Sequence, residues 1–107
     1  MKRTVDRKTY DTDTAAKVCS VRRGRPSDWR YESASLYLTQ KGSWFIAGGG
    51  GPLSSWGVRE AGSGDHRGGE GLLPVNRQEA LAWLENIDSE ESQLAIQEHF
   101  GDLIEAA

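Results

Sequence analysis

The sequence has little cysteine, little histidine and no long apolar segment. Cys19 is the single cysteine, so an internal disulfide is impossible, which favours a reducing, cytoplasmic setting. Cys19 has no Cys or His near it at ligand spacing, so we expect no zinc site. No apolar run approaches the roughly 18 residues that a membrane span needs, and no apolar stretch follows the basic N-terminus, so we expect no secretory signal.

Basic side chains are missing from the C-terminal part of the sequence, since none follows Arg77. Residues 1–47 hold ten Lys and Arg against five Asp and Glu, whereas residues 48–107 hold three against eleven. If the two halves form separate surfaces, their fields would steer a charged partner. The halves can also interleave in space, in which case the charges mix on one surface.

The apolar content that is present predicts one α+β domain over residues 1–107. Four Trp, three Tyr and two Phe supply large areas for a modest core. A hairpin is predicted over 29–47, with Ala34, Leu36 and Leu38 on one face of its first strand and Gly42 in its turn. Its second strand, residues 43–47, is apolar on both faces, which indicates a central position.

Helix signals dominate the C-terminal third. Asn76 and Glu79 have the spacing of a capping box at a helix start, and Asp88 or Ser89 is expected to cap a second helix that runs to about Phe100. We therefore expect a small antiparallel sheet, built on the 29–47 hairpin, that is packed by two C-terminal helices. Two weaker patterns predict a short helix from Asp11 to Ser20 and an extended edge piece at 72–75.

A glycine-rich stretch, residues 48–71, separates the hairpin from the helices. It holds ten of the thirteen glycines and is predicted to be a long loop, which in a compact domain is usually functional or disordered. Lysine is absent after Lys41, so a phosphate-binding P-loop is excluded, and the glycine spacing does not match a dinucleotide fingerprint. The stretch is either a flexible excursion or a binding loop, and Trp56 either docks on the core or meets a partner.

No residue pattern indicates catalysis. His66 is the one candidate general base, but the glycines around it do not provide the rigid surroundings that a base requires. We therefore predict a non-enzymatic protein without cofactor or metal, and rank a small hydrolase using His66 last.

Several segments together resemble a group of short proteins from phages, plasmids and other bacterial mobile elements. The resemblance covers roughly residues 9–107 and rests on the segments 10–15, 36–45, the glycine run and 73–84. It contains no catalytic motif. It implies a small cytoplasmic accessory protein, and such elements often encode acidic inhibitors of host defence, including anti-CRISPR proteins.

Two modes of action follow from these patterns. The first is binding to a host protein or a protein–nucleic-acid complex, through loop residues and an acidic helix: Trp56, Arg59, Arg67, Glu90, Glu91 and Glu98. The alternative is a small nucleic-acid-binding regulator that uses the basic and aromatic stretch 17–31, in which aromatics stack on bases and arginines neutralise phosphates: Arg22, Arg23, Arg25 and Arg30.

Overall fold

A computed structural model describes residues 1–52, 54–59 and 66–107, with Val58, Arg59 and His66 described by their backbone alone. Its centre is a four-stranded antiparallel sheet of the strands Ala16–Arg23 (β3), Glu32–Leu38 (β4), Trp44–Gly50 (β5) and Gly69–Val75 (β8). Their order across the sheet is β3-β4-β5-β8. The other elements are the hairpin Lys2–Val5 (β1) and Lys8–Asp11 (β2), the pair Val58–Arg59 (β6) and His66–Arg67 (β7), the helices Arg77–Ile87 (α1) and Glu90–Phe100 (α2), and a 3₁₀ turn at Gly101–Leu103.

The sheet is the middle of three layers. On one face, Leu36, Trp44 and Ile46 pack against the helices, whose buried apolar residues are Ala80, Leu84, Ala95, Ile96 and Phe100. On the other face, Phe45, Ala47 and Leu72 pack against Tyr10 of the β1–β2 hairpin. The predicted α+β class, with an antiparallel sheet and two C-terminal helices, is confirmed. None of the helices in the described part of the chain is long and apolar enough to cross a membrane.

The helix boundaries agree with the capping signals. Asn76 Oδ1 accepts a hydrogen bond from the Glu79 amide at 2.8 Å, and Glu79 Oε1 accepts one from the Asn76 amide at 2.9 Å. Ser89 caps α2 in the same way, through Ser92. Arg77 Nη1 donates to Asp102 Oδ2 at 2.8 Å, and this contact lowers the pKa of Asp102 and raises that of Arg77. The start of α1 is thereby tied to the 3₁₀ turn after α2.

The short helix predicted from Asp11 to Ser20 is wrong. Asp11 instead closes a turn, because its carboxylate accepts from the Asp13 amide at 2.9 Å and its carbonyl from the Ala15 amide at 3.1 Å. The chain then enters β3, whose pairing with β4 along 16–23 overrides the local helix signal.

The bounds of the hairpin and of the glycine loop also need correction. The first hairpin strand begins at Glu32, since turn hydrogen bonds hold residues 25–31. Gly42 adopts the expected left-handed conformation, with φ of +89°. The glycine stretch is not a loop throughout 48–71, because Gly48–Gly50 ends β5 and Gly69–Gly71 begins β8, and the two runs pair in register. Pro74 lies on the edge strand β8, as predicted.

Candidate functional site

A groove of about 430 Å³ lies between the C-terminal end of α1 and the sheet, and is called here the Trp56 groove. Its apolar lining comes from all four strands of the central sheet, from α1 and from the segment after β5: Val21, Ala34, Ile46, Trp56, Leu73, Trp83 and Ile87. Arg23, Glu32 and Asn86 are polar groups in its lining. The groove exists because α1 ends at Ile87, so the far part of this sheet face is covered by Trp56 instead of a helix.

The paired glycines of β5 and β8 form the surface on which Trp56 packs. Gly48 and Gly71 are directly paired across β5 and β8. A Cβ atom on Gly48 would lie 2.9 Å from Cε2 and Cζ2 of the indole, and one on Gly71 would lie 3.0 Å from Cζ3. The ring therefore rests on a patch of sheet that has no side chains of its own. Of the two alternatives for Trp56, docking on the core is what the structure shows, with the indole partly buried beside the main core cluster.

Hydrogen bonds fix the segment that carries Trp56. The Gly51 amide donates to the Tyr31 carbonyl at 2.7 Å, and Ser54 Oγ donates to the Gly51 carbonyl at 2.8 Å. Ser55 binds the Glu32 carboxylate through both its hydroxyl and its amide, and Arg23 Nη1 lies 3.9 Å from the same carboxylate. The described part of this segment is thus attached to the start of β4, so one wall of the groove is preformed.

The other residues predicted for partner binding do not join Trp56 in the lining of the groove. Glu90 and Glu98 are exposed on α2, and Arg67 is exposed in β7. The side chains of Arg59 and His66 lie outside the described residues, as does Asp65.

Glu91 is engaged within the domain. Its Oε1 accepts from the amide of Ser20 at 2.7 Å, which satisfies a donor on the edge strand β3. Burial, with a hydrogen bond to Glu91, raises the pKa of the Cys19 thiol from 9.0 to about 11. Cys19 is 1% exposed, so its thiol is buried in the core.

A second surface is called here the basic tip. It consists of residues 22–31, which are the end of β3 and the loop that leads to β4. All four predicted arginines are exposed there, and this stretch holds one acid, Asp28. Trp29 is 68% exposed, more than any other large apolar side chain among the described residues. The tip packs on the Trp56 segment, since a Cβ on Gly51 would lie 2.5 Å from the Trp29 carbonyl oxygen.

Sequence reasoning missed parts of both surfaces. It placed Trp29 in a strand, and it did not include Trp83 or Ile87 among the candidate binding residues. The turn residues Pro26, Ser27 and Asp28 could have moved Trp29 into the loop. The exposed side of Trp83 and Ile87 depends on where α1 ends over the sheet, which no local pattern indicates.

The comparisons add no assignment to these surfaces. Within the described ranges, no group of three or more His, Cys, Asp or Glu side chains is placed to hold a metal ion. No family model, curated protein or solved structure matches the chain.

Proposed function

We propose that this protein is a non-enzymatic, cytoplasmic accessory factor of a bacterial mobile element, which binds a host protein and thereby inhibits a nucleic-acid-targeting defence complex. The observation that supports binding is the Trp56 groove, an apolar and partly preformed concavity next to the basic tip. The mobile-element assignment is supported by the sequence resemblance, and the lone buried Cys19 is compatible with a reducing compartment.

The groove suits an apolar anchor of a partner protein. Two indoles and aliphatic side chains line it, and binding hot spots form where an aromatic or aliphatic side chain is fully desolvated in such a pocket. Glu32 is held by Ser55 and Arg23, so its charge is already compensated when an apolar group covers it. Asn86, which is exposed, offers an amide at the rim for orientation.

A capture experiment with a matched pair of variants tests this proposal. Leu73 lines the groove and is 55% exposed, so Leu73→Glu places a charge in the groove with little effect on folding. Leu94 on α2 is 59% exposed outside the groove, so Leu94→Glu is the matched control. Wild type and Leu94→Glu should retain the same host protein, and Leu73→Glu should retain roughly tenfold less, the loss expected when a hot-spot contact is removed.

Inhibition is measured by phage plating on a host whose nucleic-acid-targeting defence is active. Wild type and Leu94→Glu are expected to restore plating, and Leu73→Glu is not. Equal retention by both glutamate variants would reject the groove as the binding site. If the host protein is retained but plating is not restored, the protein still binds a partner, and the proposal that it inhibits defence is rejected.

A second candidate function, single-stranded nucleic-acid binding, is favoured by the exposure of Trp29 among arginines. Arg22, Arg25 and Arg30 form no ion pair within the described part of the chain, so they are available to phosphates. Trp29→Ala should weaken binding of a single-stranded oligonucleotide by about 1–3 kcal/mol, the value of one base–aromatic stack. Replacing the three arginines should reduce the salt dependence. Fluorescence titration at several salt concentrations measures both, with Lys2→Ala as control, and no binding at low salt rejects this function.

A further inference from the structure

A second concavity, of about 550 Å³, lies between the β1–β2 hairpin and the turn that joins β4 to β5, and is called here the hairpin pocket. Three cationic side chains line it: Arg7, Lys8 and Lys41. Residues with hydroxyl side chains also line it: Thr9, Tyr10, Thr14, Thr39 and Ser43. The Thr9 hydroxyl is bonded to that of Thr4 and the Thr14 hydroxyl donates to the Asp11 carbonyl, so these two are already engaged. Neither surface described above includes any of these residues.

The positive charge of this pocket is only partly neutralised within the domain. Arg7, Lys8 and Lys41 form no ion pair among the described residues. Asp11 also lines the pocket and keeps its negative charge while it accepts from the Asp13 amide at 2.9 Å, so the positive charges of the pocket still outnumber the negative one. Three like charges around a concavity repel one another, and a bound anion relieves that repulsion.

Arg7 occupies a backbone position where glycine is preferred. Val5 pairs with Lys8, which leaves Asp6 and Arg7 as a two-residue turn, with φ of +51° and +65°. Turns of this kind favour glycine at the second position, because other L-residues are strained there. Arg7 thus combines a strained backbone with a position in the lining of the pocket, and backbone strain of this kind is a reason to test the residue for function.

Two of the residues with hydroxyl groups, Tyr10 and Thr39, are fixed by contacts within the domain. Tyr10 is 8% exposed and packs edge-on against Phe45, with ring centroids 5.6 Å apart. Thr39 Oγ1 accepts from the Ser43 amide at 2.9 Å, which leaves the Thr39 hydroxyl proton free to donate. Guanidinium, ammonium and hydroxyl donors together are the groups that bind a phosphate dianion.

We propose that the hairpin pocket binds the phosphate group of a small phosphomonoester, such as a nucleoside monophosphate. Its volume exceeds that of one phosphate and falls in the range of small-ligand sites, so the ester's organic part also enters. Arg7 and Lys41, from opposite walls, contact the phosphate oxygens.

Arg7→Gly provides the discriminating test, because it removes the guanidinium and the strain together. The full-length protein is titrated with inorganic phosphate and with adenosine monophosphate by calorimetry, and its melting temperature is measured without ligand. Adenosine monophosphate is expected to bind more tightly than phosphate. Arg7→Gly should weaken both by roughly tenfold or more, the value of a charge-assisted contact, while its melting temperature rises by about 4 °C or more. If Arg7 served only to stabilise the fold, Arg7→Gly would lower the melting temperature instead.

Two further variants complete the test. Lys41→Met should weaken binding without raising the melting temperature, and Lys2→Met, on the same hairpin but outside the pocket, should bind like wild type. The proposal is overturned if no saturable binding occurs at about 10 mM ligand, if Arg7→Gly binds as tightly as wild type, or if Lys2→Met weakens binding equally. An Arg7-dependent oligonucleotide complex without binding of the monophosphate would also overturn it, in favour of a nucleic-acid backbone.

Discussion

Replacing Gly48 with valine is expected to lower the free energy of unfolding by about 3 kcal/mol, the upper part of the range for overpacked cores. A Cβ atom at this position would lie 2.4 Å from the Ser33 carbonyl oxygen and 2.9 Å from the Trp56 indole. The carbonyl belongs to β4 and cannot retreat without opening the β4–β5 pairing. Urea denaturation measures the loss of stability. A red shift of tryptophan fluorescence in the folded protein would show that Trp56 no longer packs on the glycine pair and is more exposed to water.

Two glycine variants separate this steric effect from a general effect of glycine replacement. Gly101 has φ of −55° and nothing within 4 Å of an added Cβ, so Gly101→Ala should leave stability unchanged or slightly increased. Gly71 faces only the Trp56 ring, at 3.0 Å, so Gly71→Ala should give an intermediate loss. A Gly48→Val protein with wild-type stability and fluorescence would show that the indole does not rest on this glycine pair.

The parts of the fold that depend on neighbouring residues could be predicted from the sequence. The capping pair of Asn76 and Glu79 lies within one helical turn, and Ala80 and Leu84 follow it at helical spacing. The alternation of Ala34, Leu36 and Leu38 likewise placed the core face of β4. In each case the residues that determine the structure lie within a few positions of one another.

The parts of the fold that depend on pairing between distant segments could not be predicted from the sequence. The residues from Asp11 to Ser20 begin with helix-cap chemistry, and only the pairing of β3 with β4 turns the second half of them, residues 16–20, into a strand. Gly48 and Gly71 have almost no strand propensity, yet they extend β5 and β8 because Trp56 covers the surface that they leave bare. A glycine run reads as a loop unless the side chain that packs on it is known.

The candidate sites, like the fold, could be predicted only in part from the sequence. Sequence composition found the arginines of the basic tip and singled out Trp56. It did not find the groove, because Leu73 and Trp83 are ten residues apart and belong to different layers. Nor did it find the hairpin pocket, whose Arg7 and Lys41 come from two separate turns. Such concavities result from the stacking of layers, which a single sequence indicates only in outline.

Replacing Phe45 with alanine is expected to cost about 3–5 kcal/mol of the free energy of unfolding, as for other large aromatic truncations. Phe45 is fully buried on the sheet face opposite the helices. Its ring stacks on Tyr37, with centroids 5.0 Å apart, and meets Tyr10 of the β1–β2 hairpin edge-on. Phe45→Leu, which keeps most of the apolar volume, should lose about half as much or less. Urea denaturation of both variants measures the costs.

Hydrogen exchange of Phe45→Ala tests whether the hairpin is a separate layer. Without Phe45, the described contacts that still hold the hairpin to the sheet include the bond from Arg3 Nη1 to the Leu72 carbonyl, at 2.7 Å. Amides of β1 and β2 should therefore exchange much faster than those of α2, which packs on the opposite face. The hairpin pocket would lose its Arg7 and Lys8 wall while the Trp56 groove stayed intact. Equal loss of protection in the hairpin and in α2 would contradict this, and would mean that both faces open as one cooperative unit.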